Sequence, residues 1–144
     1  MLLKKICLIT VLGLVGFTSA QAADEAHNFN FKEAVNRAVA DGTLDGSVRF
    51  FLAGTQSGGK VIEKGVVTNK KTNGFAKSAE NACDHVLRSA LIQLQKTAKA
   101  RGANAVTNIV SYYKSNTSKS TTTYECHKGT AIAGVALKGD IVKF

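Results

Sequence analysis

The sequence has no proline and no tryptophan, one methionine, three cysteines and few aromatic residues. With no proline and no Gly/Ser-rich tract, nothing marks a linker or a boundary between domains, and 144 residues suit one modest core. Three cysteines are too few for a disulfide-dense scaffold. Carboxylates are also scarce: 10 Asp and Glu face 19 Lys and Arg, giving a formal charge of +9. That balance favours anionic partners and solubility and says nothing about fold. The 44% hydrophobic content is that of a globular chain and excludes intrinsic disorder. No apolar run approaches the roughly 20 residues that a membrane-spanning helix needs.

The one long apolar run is Ile6 to Phe17. It follows Lys4 and Lys5 and is followed by the small residues Ala20 and Ala22. A basic start, a short apolar stretch and a small-x-small end form a secretory signal over residues 1–22, with Ala23 as the first mature residue. Cys7 lies inside this run with no lipidation box, so a lipid anchor is not expected. Cleavage leaves 122 of the 144 residues and takes the charge from +9 to +7. The expected location is periplasmic or secreted, and residues 23–144 are expected to form one α+β domain.

Along that domain, Ala23 to Asn28 reads as a polar, mobile start. Phe29 to Ala40 has helical apolar spacing, stopped by Asp41-Gly42. Ser47 to Ala53 and Lys60 to Thr68 read as strands joined by a turn at Gly54 to Gly59, with a bulge at Gly65. Asn69 to Lys77 reads as a basic loop. Ser78 as N-cap, an apolar stripe from Cys83 to Ala98 and the stop at Gly102 predict the longest helix. Strands follow at Asn104–Tyr113, Lys119–Cys126 and Thr130–Leu137, with a turn at His127-Lys128-Gly129 and a bend at Gly139-Asp140 before Ile141–Phe144. The expected fold is α+β: an antiparallel sheet of about four or five strands covered on one face by the long helix, with a short N-terminal helix.

Three patterns carry candidate chemistry. Gly54-Thr-Gln-Ser-Gly-Gly59-Lys60 matches a phosphate-binding loop up to its last position, where Val61 replaces the Mg²⁺-binding hydroxyl. A strand follows it instead of a helix, so a turn is the better reading and ATPase activity is not expected. Cys83-x-His85 and Cys126-His127 suggest either a Cys83–Cys126 disulfide or a Cys₂His₂ metal site. Residues two apart on a helix, or adjacent on a strand, point different ways. The disulfide is therefore favoured, with His85 and His127 as the metal alternative. Lys60, Lys64, Lys70, Lys71 and Lys77, opposed only by Glu63, form either a solvated loop or an anion-binding site near Phe75, which Arg88, Lys96 and Lys99 could extend.

Leu44-Asp-Gly-Ser-Val-Arg-Phe, Thr68-Asn-Lys-Lys-Thr-Asn, Gly102-Ala-Asn-Ala-Val106, Asn108-Ile-Val-Ser-Tyr-Tyr-Lys114, Tyr124-Glu-Cys-His127 and Ala133-Gly-Val-Ala-Leu-Lys-Gly139 resemble a family of small exported proteobacterial proteins. That family carries the label "excinuclease ATPase subunit", which the incomplete loop at Gly54 to Val61 does not support. More distantly, the long helix, Gly102 to Val106 and Cys126 to Leu137 resemble the Rcs envelope-stress sensor lipoprotein and YbjQ-type domains. This implies a sheet covered by one helix and contact with envelope partners. The chain differs from the sensor in having no lipidated Cys and no second disulfide.

The function read from these residues is an exported, non-enzymatic binding domain of the cell envelope. Its partner would be an envelope protein or an anionic envelope polymer, with nucleic acid disfavoured. The alternative is a small periplasmic metal-binding protein or hydrolase using His85, His127 or Asp84. No cofactor is implied. Edge strands at Ser47 and Lys119 could pair between copies in a homo-oligomer.

Overall fold

In the computed structural model, residues 24–144 are described; the secretory signal expected over residues 1–22 lies outside them. Six strands and two helices follow in the order β1 (Glu25–Asn30), α1 (Phe31–Ala40), β2 (Arg49–Leu52), β3 (Lys60–Asn73), α2 (Ala79–Ala100), β4 (Ala105–Ser111), β5 (Thr123–Lys128) and β6 (Ile132–Lys143). The architecture is α+β, with a mixed sheet curled into a half-barrel. Among the described residues no helix is long and apolar enough to cross a membrane.

The helices start where local chemistry sets them. Asn30 accepts the Glu33 N–H at 2.9 Å and caps α1. Ser78 accepts the Asn81 N–H at 3.1 Å and caps α2, with Glu80 in the first turn complementing the dipole. At the other end Gly102 takes φ +69°, and the Ala103 N–H reaches back to the Ala98 carbonyl at 2.9 Å. The α2 stripe of Val86, Leu87, Leu91 and Leu94 is wholly buried. It shares one core with Ile109 of β4, Tyr124 and Cys126 of β5, and Val135, Leu137 and Ile141 of β6.

β6 organises the sheet. β3 pairs antiparallel along one edge of it from Lys60↔Lys143 to Asn73↔Ile132. On the other edge β4 takes the C-terminal part of β6, and β5 takes the start, at Gly134 and Ala133. β2 then flanks β4, and β1 flanks β5.

Several expectations need correction. The sheet is mixed, because β2 runs parallel to β4. A parallel partner needs a long crossover, and the intervening β3 and α2 supply it. Gly54 to Gly59 is therefore not a hairpin turn: it joins β2 and β3, which do not pair. The polar start is a strand, β1, held by antiparallel pairing with β5 and by Phe29 packing near Tyr124. Asn69 to Asn73 is not loop but the second half of β3, since β6 offers it partners from Ala136 to Ile132. β6 runs unbroken through Gly139-Asp140. β5 starts only at Thr123 and includes His127 and Lys128, so among the described residues the free edges are β1, β2 and β3, and Lys119 lies on none. Gly65, at φ +66°, sits where the β3 register slips between Glu63 and Val66, the expected bulge.

The Cys83 and Cys126 Sγ atoms lie 2.07 Å apart, at disulfide distance, and tie the first turns of α2 to β5 across 43 residues. Both cysteines are fully buried.

Candidate functional site

The five candidate lysines do not form one loop. Lys60, Lys64, Lys70 and Lys71 lie along β3, and only Lys77 lies in the connection to α2. Pairing places Lys70 opposite Val135, on the core side of the sheet, and Lys71 opposite Gly134, on its outer side. Lys71 therefore separates from Lys70 and joins a cluster that spacing in a supposed loop could not show.

That cluster is built around Gly134. A Cβ there would lie 3.2 Å from Tyr113 Cε2 and 3.7 Å from Lys71 Cγ, so the glycine is what lets the Tyr113 ring approach the sheet. Tyr113 stacks on His127, the β5 partner of Gly134, with ring centroids 3.8 Å apart and planes 9° from parallel. The Tyr113 hydroxyl donates to Asp24 Oδ2 at 2.5 Å. Partial burial and that bond push its pKa up to about 12. His127 Nε2 bonds to Glu125 Oε1, both side chains being mostly buried. Lys114 Nζ lies 5.6 Å from the Tyr113 ring centre, and Lys138 Nζ lies 4.9 Å from that of Tyr112. Cations and aromatic rings thus alternate across this face. The legible signal was Glu125-x-His127, because residues two apart on a strand share a face; reading His127 as a turn residue hid it.

Four cations on the helical side, Arg37, Arg88, Lys99 and Arg101, are already committed. Arg88, largely buried, donates from Nε to Asp84 Oδ2 at 2.9 Å, from Nη1 to Thr43 Oγ1 at 2.9 Å, and also to Asp41. Arg37 Nη2 reaches Asp84 Oδ1 at 3.0 Å, Lys99 pairs with Asp45 at 2.5 Å, and Arg101 pairs with Glu63 at 2.5 Å. Hydrogen bonds from Thr43 and Arg88 hold the Asp41 carboxyl at about 2, and Lys99 and Ser47 hold Asp45 lower still. Burial pulls the Arg88 guanidinium down, but Asp41 and Asp84 outweigh it and hold its pKa above the ordinary arginine value. Arg88 and Lys99 therefore do not extend the basic stripe, and Asp84 is bound to two arginines.

Among the described residues, Lys60, Lys64, Lys70, Lys71 and Lys77 form no ion pair. The metal alternative is not assembled: His85 is exposed on α2, while His127 faces away from Cys126 on the outer side of β5. No group of three or more His, Cys, Asp or Glu among the described residues is placed to hold a metal ion. Lys60 opens β3, so the glycine-rich loop leads into a strand.

A separate groove of about 610 Å³ runs between α1 and β2. Val35 and Val39 line it from the helix, and Arg49 and Phe51 from the strand. Compared with known proteins, the chain matches no family model and no curated protein.

Proposed function

We propose that this protein is an exported binding domain of the cell envelope that holds an anionic partner without transforming it. The observation that supports this reading is the partition of charge. Arg37, Arg88, Lys99 and Arg101 are neutralised by Asp41, Asp45, Glu63 and Asp84 beside the helices. Among the described residues, Lys60, Lys64, Lys70 and Lys71 of β3 and Lys114 and Lys138 of the outer face have no carboxylate partner. In this reading α2 closes one face of the sheet, as its wholly buried stripe suggests, and the ligand meets the other face and the β3 edge. Phosphate or carboxylate groups on an envelope polymer or lipid surface are the matching chemistry. The resemblance to exported envelope proteins agrees with this, and so does the buried cysteine pair at disulfide distance.

Lysines on a free edge also discourage edge-to-edge aggregation, so the test must separate binding from that role. Affinity for phosphatidylglycerol vesicles and for soluble polyphosphate is measured against salt for the wild type, for Lys71→Gln/Lys114→Gln and for the exposed control pair Lys96→Gln/Lys119→Gln. The outer-face pair is expected to weaken binding and flatten its salt dependence, because exposed charges are screened beyond about 8 Å at physiological salt. Equal losses in both pairs would reduce the site to a general positive field, and no loss in either would overturn the reading.

A further inference from the structure

The groove between α1 and β2 has the form of a strand-addition site. Among the described residues β2 pairs only with β4, which leaves its other edge open. The Arg49 N–H donates to Asn104 at 3.0 Å and the Ala53 N–H to Ile109 at 2.9 Å, both on the β4 side. Alternation along a strand therefore turns the Phe50 N–H and C=O and the Leu52 N–H toward the groove. The Leu52 carbonyl is already used by Thr55, through its N–H at 3.1 Å and its hydroxyl at 2.7 Å, which ends the open edge there.

The opposite wall is α1. Its buried face is Phe31, Ala34 and Ala38, yet Lys32, Val35, Asn36 and Val39 form a second stripe at i, i+3, i+4 and i+7 that lines the groove. Val39 is 42% exposed, with no core function to account for it. Among the described residues the only charged ones lining the groove are Lys32 and Arg49, both exposed cations, and neither forms an ion pair with another described residue.

We propose that this groove receives an extended acidic segment of a partner protein as an added strand on β2, beneath α1. Backbone N–H and C=O groups on one wall call for an occupant with its own peptide groups, which an acyl chain lacks. The apolar floor takes alternate side chains, and Lys32 and Arg49 select for carboxylates. A second copy is the poorer fit, because pairing β2 with β2 would bring Lys32 and Arg49 of both copies together in a chain that is still +7 without residues 1–22.

The test is selection of phage-displayed random peptides against the mature protein. Peptides alternating apolar residues with Asp or Glu are expected to be enriched, and the synthetic form should shift the Phe50 and Leu52 amide resonances. N-methylation of its alternate backbone amides should abolish binding. Lys32→Glu/Arg49→Glu should weaken it by roughly five- to tenfold. Val39→Asp should block it; all three positions are exposed, so an unchanged circular dichroism spectrum is expected. The β3 and outer-face lysine variants should leave peptide binding intact, which separates this site from the anion-binding reading. The proposal is overturned by failure to enrich any peptide, by binding that tolerates N-methylation, by shifts away from α1 and β2, or by laurate occupying the groove where no peptide does.

Discussion

The Tyr113 ring lies flat on His127, 3.8 Å away, over the place where Gly134 carries no side chain. Three consecutive segments, the turn after β4, β5 and β6, meet there, and Asp24 fastens the phenol from 89 residues away. Because its pKa is raised to about 12, Tyr113 favours the neutral phenol in the fold. Its contribution to stability is complete below the ordinary tyrosine pKa of about 10 and is lost as pH rises through about 12. Alkaline titration of phenolate absorbance should show this late ionisation, and Asp24→Asn should bring it to lower pH. Gly134→Leu, which displaces the ring, should do the same. A titration identical in all three proteins would mean that the stack does not persist in solution.

Cys83 and Cys126 close a loop of 43 residues in sequence separation. On chain-entropy grounds a bond between them contributes about 4 kcal/mol, mostly by restricting the unfolded chain. Cys83→Ala/Cys126→Ala should lower stability to urea by up to that amount. Thiol reagent should find neither cysteine free in the folded or the unreduced, unfolded mature protein. Two reactive thiols before reduction would count against the bond.

Asp41 and Asp45 are set below the ordinary carboxylate range by their hydrogen bonds. An unfolded chain takes up these protons first, so their contribution is present above about pH 4 and is lost as pH falls. For Asp41 that loss runs down through about pH 2. Asp41→Asn should flatten the acid limb of the urea midpoint plotted against pH. Because the carboxylates are exposed, added salt should shrink the difference.

Thr68 is 4% exposed on β3, opposite Leu137, and its buried hydroxyl has no hydrogen-bond partner among the described residues. Removing that hydroxyl while keeping the shape should stabilise the fold. Thr68→Val is expected to gain about 1 kcal/mol, read as a higher urea midpoint at unchanged slope. A loss would place an ordered water on the hydroxyl.

The glycine-rich loop ends at Lys60 in a strand, and Val61 offers no hydroxyl to a metal. Neither the wild type nor Val61→Thr should hydrolyse ATP. Turnover that disappears in Lys60→Ala would restore the phosphate-loop reading.

The long helix and its ends were legible because their causes are local, whereas α1 starts at Phe31 behind its Asn30 cap and not at Phe29, which pairing with β5 draws into β1. Ser78 reaches a donor three residues on, Gly102 relieves its own backbone, and the stripe from Cys83 to Ala98 repeats within each turn. The pairing of Cys83 with Cys126 was legible by count, since only two cysteines follow the apolar run from Ile6 to Phe17. The anion site was legible only as composition. Five lysines in one stretch stand out, but which of them share a face depends on strand register.

The sequence by itself determined the α+β class, the capped long helix, the Gly65 bulge and the excess of cations. Each follows from neighbours a few residues apart or from simple counting. Tertiary structure alone decided that β2 runs parallel to β4, that Asn69 to Asn73 is strand, and that Lys70 and Lys71 part to opposite faces. It also decided that Glu125, His127, Tyr113 and Asp24 meet. A polar segment such as Asn69 to Asn73 has no intrinsic reason to be extended. It becomes a strand because β6, buried on both faces through most of its length, satisfies its backbone hydrogen bonds.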